Sequence, residues 1–320
     1  MLFLDSGDVR ALLSIEECIA AVEQAFRLHG EGKTPKPGVL GVHAPHGAFH
    51  IKAGILDLGR PYFAAKTNAN FPGNVERYGL PTIQGVIALF DAERGTPLAI
   101  LDSREITSLR TGAATAVAAK YLARDDASVA TICGCGVQGR TQLAAVAAVR
   151  SLNRVYAIDR DPQQARRFAR EMSNELRIDV IAASDLGAAS RESDICVTCT
   201  PSRKAILGAG DVSAGAFVAG VGADNEDKQE LDPALLARAA VIVDILDQAA
   251  VAGDLHHAIA AGVMTRNDVR AELGEVVAGR KPGRMHNDEI IVFDSTGTAL
   301  QDVAAAVAVY EKARKRAEMD

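Results

Sequence analysis

After Asp125 the chain changes rhythm, and this constrains its fold more than any other feature: short apolar runs alternate with helix-forming stretches nearly to the last residue. SVATIC, RVYAID, IDVIAA, DICVTC, AFVAGVG, AVIVDI and EIIVFD read as strands, and GRTQLAAVAAV and the segment entered through Asp161 and Pro162 read as helices. Strands that are apolar throughout and separated by helices need a parallel sheet covered on both faces. A doubly wound α/β unit is therefore expected over residues 121–295.

Between the first strand and the first helix of this unit lies SVATICGCGVQGR, Ser128 to Arg140, with Gly134, Gly136 and Gly139 in the spacing G-x-G-x-x-G. That pattern is informative only where a strand precedes it and a helix follows, as here. Gly134 permits the tight turn, Gly136 lets a pyrophosphate approach the backbone, and Gly139 allows close helix packing. Val137 and Gln138 complete the phosphate loop, whose free N–H groups attract an anion. Twenty residues after Gly139, Asp159 ends the second strand, where a carboxylate accepts hydrogen bonds from ribose hydroxyls and repels a 2′-phosphate. NAD is thus favoured over NADP, although the adjacent Arg160 could tolerate the extra phosphate. A flavin or sugar-nucleotide site, or a loop that binds nothing, would share the glycines.

The first 120 residues follow another pattern. Ser14 and Glu17 have capping-box spacing ahead of Ile15, Ile19, Val22 and Phe26, which predicts a helix ending near Gly30 and Gly32. GVLGV, AFHIKAG, YFAAKTN, IQGVIALF and PLAIL then suggest a mostly antiparallel sheet. ITSLRTGAATAVAAKYLAR, residues 106–124, reads as a long helix joining two domains, and a C-terminal helix is expected to return to the first. The expected organisation is a smaller α+β domain over 1–120, completed by 296–320, and a Rossmann domain over 121–295.

A net charge of −6 and a pI near 5.7 give no general attraction to nucleic acid or anionic membrane, and KARKR at 312–316 reads as a solvated helix end. With neither a secretory leader nor an eighteen-residue apolar run, a cytoplasmic protein is expected. Cys133 with Cys135 and Cys196 with Cys199 raise a zinc site, but both pairs end apolar strands, where free cysteine packs as a small hydrophobe; no metal is expected.

SLRTGAATAVAAKYLAR, the GCGVQG loop, Thr200 with PSRK, GADNEDKQELD and FDSTGTALQDVA occur in this order, and through them the chain resembles the ornithine cyclodeaminase and μ-crystallin family over nearly its whole length. Within the family it looks closest to the imine reductases, iminosuccinate reductase among them, and the archaeal type of alanine dehydrogenase. The resemblance implies a homodimer of two-domain subunits, and hydride transfer between a nicotinamide and the carbon of a C=N bond beside a carboxylate. It places carboxylate binding on Lys66 and Arg110, the former also catalytic, and proton handling on Asp224. Thr82, Arg110, Thr111, Thr200, Pro201, Ser202, Val221 and Ser295 fall in segments that surround the dinucleotide. Each has a plainer reading: Lys66 as a solvated strand lysine, Asp224 as a turn aspartate, and the Thr and Ser as turn residues.

Where cyclodeaminases carry a glutamate for the distal amino group, this chain has His50, and Lys52 follows on the same face by strand alternation. A basic face favours a second carboxylate over an ω-amino group. The expected reaction is NAD(P)H-dependent reduction of an α-imino acid to an L-amino acid, with iminosuccinate to L-aspartate foremost. Alternatives are an alanine dehydrogenase, a reductase of pyrroline or piperideine carboxylate, a cyclodeaminase that releases ammonia, and a dinucleotide-dependent small-molecule binding protein. Lys36 lies near the family's further basic residue, His43 and His46 are expected in a loop, and His256 with His257 at a helix start.

Overall fold

The computed structural model describes residues 1–318, so positions 319 and 320 of the expected C-terminal extension lie outside the described residues. The chain forms two compact units, Met1–Arg110 with the segment from Thr298 onward, and Thr111–Gly297.

In the first unit, β1 (Leu2–Leu4) and α1 (Ser6–Leu12) precede α2 (Ile15–Gly30), which begins at the reciprocal Ser14–Glu17 capping box. Then follow β2 (Gly38–Ala44), β3 (Gly47–Asp57), β4 (Pro61–Asn70), α3 (Asn74–Tyr78), β5 (Ile83–Asp91) and β6 (Pro97–Asp102). They form one six-stranded sheet in the order β1-β6-β5-β4-β3-β2, antiparallel except where β1 joins β6. The five runs expected as strands are all present, while β1 and α1 carry no comparable periodic signal. His43 lies within β2 rather than in a loop, because the β2–β3 hairpin pairs as far as Ala44 opposite Gly47.

The next helix, α4 (Ser103–Leu122), spans the boundary between the units. The expected division at 120 placed all but its last two residues in the first domain. From Thr111 onward it belongs to the second unit, and a Cβ at Gly112 would come within 2.9 Å of Thr141. Small side chains permit that approach.

The second unit holds β7 (Val129–Cys133), α5 (Val137–Ala147), β8 (Arg154–Ile158), α6 (Pro162–Leu176), β9 (Asp179–Ala182), α7 (Leu186–Arg191), β10 (Ile195–Thr198), β11 (Arg203–Leu207), β12 (Phe217–Gly220), β13 (Gln229–Leu231), α8 (Pro233–Arg238), β14 (Ala240–Val243), α9 (Leu246–Ala252), α10 (Asp254–Ala260), β15 (Ala271–Glu272), α11 (Leu273–Val277) and β16 (Ile291–Asp294). Eight strands form one parallel sheet in the order β15-β14-β16-β12-β10-β7-β8-β9, and β11 pairs with β13 apart from it. Strand order reverses between β7 and β10, the switch point at which sheets of this class bind ligands beyond their carboxyl ends. This is the doubly wound Rossmann architecture.

The last helix, α12 (Ala299–Ala317), packs on α2, β3, β4 and β5 in the first unit. Its first three turns are buried, including the polar Gln301 and Asp302. Among the described residues no helix is long and apolar enough to cross a membrane.

Candidate active site

In the first unit, sheet register decides which side chains share a face. Lys52 on β3 stands opposite Lys66 on β4, and His50 stands opposite Asn68 one pair further along. All four therefore occupy the face that α12 covers. Lys66 is 3% exposed, and its Nζ donates to Asp302 Oδ1 at 2.8 Å. The same oxygen lies 3.0 Å from Arg110 Nε, while Arg110 Nη1 donates to Gln301 Oε1 at 2.9 Å. One buried carboxylate thus bridges the two cations expected to bind a substrate carboxylate.

The electrostatics follow from burial and net positive charge. Burial, Arg110 and Lys52 push the Lys66 ammonium down to about 7 against the opposing pull of Asp302. Burial alone would raise Asp302, but Lys66 and Arg110 hold it below the usual carboxylate range. Its place in the first turn of α12, whose N-cap Thr298 accepts from Leu300 N–H, adds the favourable end of the helix dipole. Asp302 Oδ2 and Gln301 Nε2 are buried without a hydrogen-bond partner, so an acceptor and a donor remain for a ligand or water.

Sequence reasoning missed Asp302 and Gln301, though a signal existed. In ALQDVAAAVAV, two polar residues interrupt a stretch otherwise small or apolar. Thr82, expected near the dinucleotide, lies in the first unit, where its carbonyl accepts from Phe71 N–H at 2.8 Å.

In the second unit, the residues expected around the dinucleotide follow the carboxyl ends of five neighbouring strands. Gly134 follows β7, Asp159 follows β8, Thr200 follows β10, Val221 follows β12 and Ser295 follows β16. Gly134 has φ +105°, and a Cβ there would lie 2.8 Å from the Cys199 carbonyl. At Gly139 a Cβ would meet the Gly134 carbonyl at 2.0 Å, so only glycine allows α5 to begin this close to β7. Gly136 has open space where its Cβ would be and caps α5 without a side-chain bond, leaving amide donors for a phosphate. Asp159 Oδ2 accepts from Cys135 N–H at 2.8 Å and Oδ1 from Asp161 N–H at 2.9 Å, so the acid expected at the ribose also fastens the glycine loop. Arg160 beside it is exposed. These features fit a dinucleotide.

Val137 is exposed and Gln138 accepts from Gln142 Nε2. Thr111 lies in α4 with its carbonyl toward the Thr115 hydroxyl, and Ser202 is joined to Thr200 through its own N–H. Pro201 is exposed between them, and the Ser295 hydroxyl is buried without a hydrogen-bond partner. Asp224 has a half-exposed side chain, with Oδ1 accepting from Lys228 Nζ at 2.7 Å. Lys228 also drew no notice in the sequence. Its carbonyl pairs with His257 Nε2 at 2.9 Å, which gives that histidine a local role inside α10. Cys133, Cys135 and Cys196 are buried and Cys199 half-buried, with burial pushing the first three thiols up to about 12.

Fold and site define a two-unit α/β protein whose Rossmann unit is built to hold a dinucleotide. The profile of the ornithine cyclodeaminase/mu-crystallin family matches residues 1–317, and the chain belongs to that family. An alanine dehydrogenase of Archaeoglobus fulgidus is 40% identical over 312 residues, covering 98% of this chain and 95% of the relative. The iminosuccinate reductase of Paracoccus denitrificans is 34% identical over 317 residues, covering 99% and 98%. Among solved structures, an archaeal alanine dehydrogenase dimer with bound NAD superposes with a TM-score of 0.94 at 40% identity, covering 99% of this chain and 97% of that one. The Thermococcus litoralis Δ1-pyrroline-2-carboxylate reductase with NADH and L-proline gives 0.93 at 35%, covering 99% and 98%. The Paracoccus denitrificans iminosuccinate reductase with NAD+ gives 0.92 at 33%, covering 99% and 97%.

Proposed function

We propose that the protein is an NAD-dependent oxidoreductase that reduces an α-imino acid to an L-amino acid, with a dicarboxylic imine such as iminosuccinate as substrate. The buried pair Lys66 and Arg110, bridged by Asp302, carries this reading: two cations with one shared counter-charge suit a carboxylate that arrives with the substrate. Lys52 and His50 on the same sheet face extend the positive field along the strand and favour a second carboxylate. Gly134, Gly136, Gly139 and Asp159 hold the dinucleotide, with Val137, Gln138, Thr200, Pro201, Ser202, Val221 and Ser295 around it. Bound NADH supplies the hydride.

Asp224 keeps the imine nitrogen protonated for reduction, and accepts that proton in the oxidative direction. Lys228 Nζ, which donates to Asp224 Oδ1 at 2.7 Å, is the cation that orients this carboxylate. Lys66 must be an ammonium to bind the carboxylate, which favours activity near and below pH 7.

A homodimer is part of the proposal. Leu40, Val42, Phe49 and Val86 are 55%, 46%, 37% and 47% exposed, and by register they share the sheet face opposite Lys66. A contiguous apolar face of this kind is what a partner subunit covers.

An NADH-oxidation screen tests the reading. Oxaloacetate with ammonia, which forms iminosuccinate, should be turned over faster than pyruvate with ammonia. A preference for pyruvate would leave an alanine dehydrogenase, the activity of the relative at 40% identity. Ammonia released from ornithine without net NADH consumption would leave a cyclodeaminase.

A further inference from the structure

The loops after β10 and β12 converge on one buried side chain that the proposed mechanism does not use. Glu230, in β13, is fully buried. Its Oε1 accepts from Thr200 N–H at 2.6 Å and from the Thr200 hydroxyl at 2.6 Å. Its Oε2 accepts from the Thr198 hydroxyl at 2.9 Å and from Gly222 N–H at 2.7 Å. A carboxylate offers about four acceptor sites and no donor, so these four bonds saturate it. A glutamine would turn its NH2 toward at least one of the same donors.

The surroundings leave this arrangement little freedom. A Cβ at Gly222 would lie 2.2 Å from the Thr200 carbonyl and 2.6 Å from Glu230 Cδ, so the two loops touch through a glycine. Asp254 Oδ1 accepts from the N–H groups of Glu230 and Leu231 at 2.8 and 2.9 Å, which fixes the backbone that presents the glutamate. Cys199, next to Thr200, donates its N–H to Cys133 and its thiol to the Gly134 carbonyl, so the loop after β10 abuts the glycine loop. Asp224 N–H in turn bonds the Gly222 carbonyl at 3.2 Å.

We propose that Glu230 is a positioning residue that draws the strand ends of β10 and β12 together, and so sets both the dinucleotide cradle at Thr200 and the placement of Asp224. Glu230 touches neither substrate nor cofactor in this assignment; it acts through Thr198, Thr200 and Gly222. The turnover arm of the test rests on the reading of Asp224. The affinity arm does not.

Glu230→Gln keeps the shape and removes the charge. NADH titration without substrate should show at least a tenfold weaker dissociation constant, and kcat should fall at least tenfold. KM for the imino acid should stay within about threefold, because Lys66 and Arg110 belong to the other unit. A role confined to stability would lower the melting temperature and leave NADH affinity and kcat per folded molecule at wild-type values, and that result overturns the proposal. Should Glu230→Gln not fold, Thr198→Val decides, since the Thr198 hydroxyl donates to Glu230 and has no assigned cofactor contact. It should weaken NADH binding about threefold, and unchanged affinity would overturn the proposal. Loss of NADH affinity in a protein whose wild type reduces no imine would support Glu230 while rejecting the proposed reaction.

Discussion

Each unit buries a charged centre, and the two are built on opposite terms. In the first, Lys66 and Arg110 surround one acid, Asp302, with a donor and an acceptor still unsatisfied. In the second, Glu230, Asp254 and Asp294 are buried together; backbone N–H groups and threonine hydroxyls fill the acceptor sites of Glu230, whereas Asp254 Oδ2 and Asp294 Oδ1 have no hydrogen-bond partner. Burial pushes all three up, Asp254 to about 7 and Asp294 well above its usual value, while the four donors on Glu230 oppose that push there, so this centre limits its charge at Asp294 rather than at Glu230. A cation pair that must meet a ligand keeps an unmet donor and acceptor beside it, whereas a carboxylate that only fastens loops is saturated and its unsaturated acidic neighbours are pushed toward the neutral form.

The sharpest test removes groups assigned to chemistry. Asp224→Asn should lower turnover by about two to four orders of magnitude, with NADH affinity in a fluorescence titration unchanged; a nearly normal rate would reject Asp224 as the proton carrier. Lys66→Met strands Asp302 beside one cation and should cost about 3 kcal/mol in kcat/KM, roughly a hundredfold, read in steady-state kinetics.

The contrast can next be probed through pH. Lys66 is needed as the cation and lies near 7, so wild-type kcat/KM should fall as pH rises through that value. Asp302→Asn takes away the anion that favours the ammonium, so the fall should move to lower pH by about one unit. Asp302→Glu should restore it in part. A pH profile that does not move would show that Asp302 is packing alone.

Two smaller effects remain. Lys52→Met should reduce the preference for iminosuccinate over the imine of pyruvate about tenfold, and an unchanged ratio would sink the second-carboxylate reading. In the other centre, an acid raised from 3.8 to about 7 keeps its proton in the folded chain after the unfolded chain has lost it. Its contribution to stability therefore declines as pH rises across that window. Asp254→Asn, whose amide oxygen can still accept from Glu230 and Leu231 N–H, should flatten that part of the denaturation profile.

The parts legible in the sequence are those whose physics is local. Capping at Ser14, alternation along β3 and β4, and the glycine spacing between β7 and α5 involve residues within a few positions of one another. That His50 and Lys52 share a face needed only the strand period, whereas the register of β3 on β4 decided that Lys66 stands on that face too. The division within α4 was not legible, because an alanine-rich helix with small residues on every side does not announce which neighbour each turn will meet.

By itself the sequence determined the Rossmann unit, its glycine loop and the acid that closes it, because a strand, a tight turn and a helix start in consecutive residues. Tertiary structure alone decided that Asp302 meets Lys66 across 236 positions and that Glu230 gathers Thr198, Thr200 and Gly222. Those contacts follow from how α12 and β13 pack, and no periodicity along the chain encodes which buried donor will find which buried acceptor.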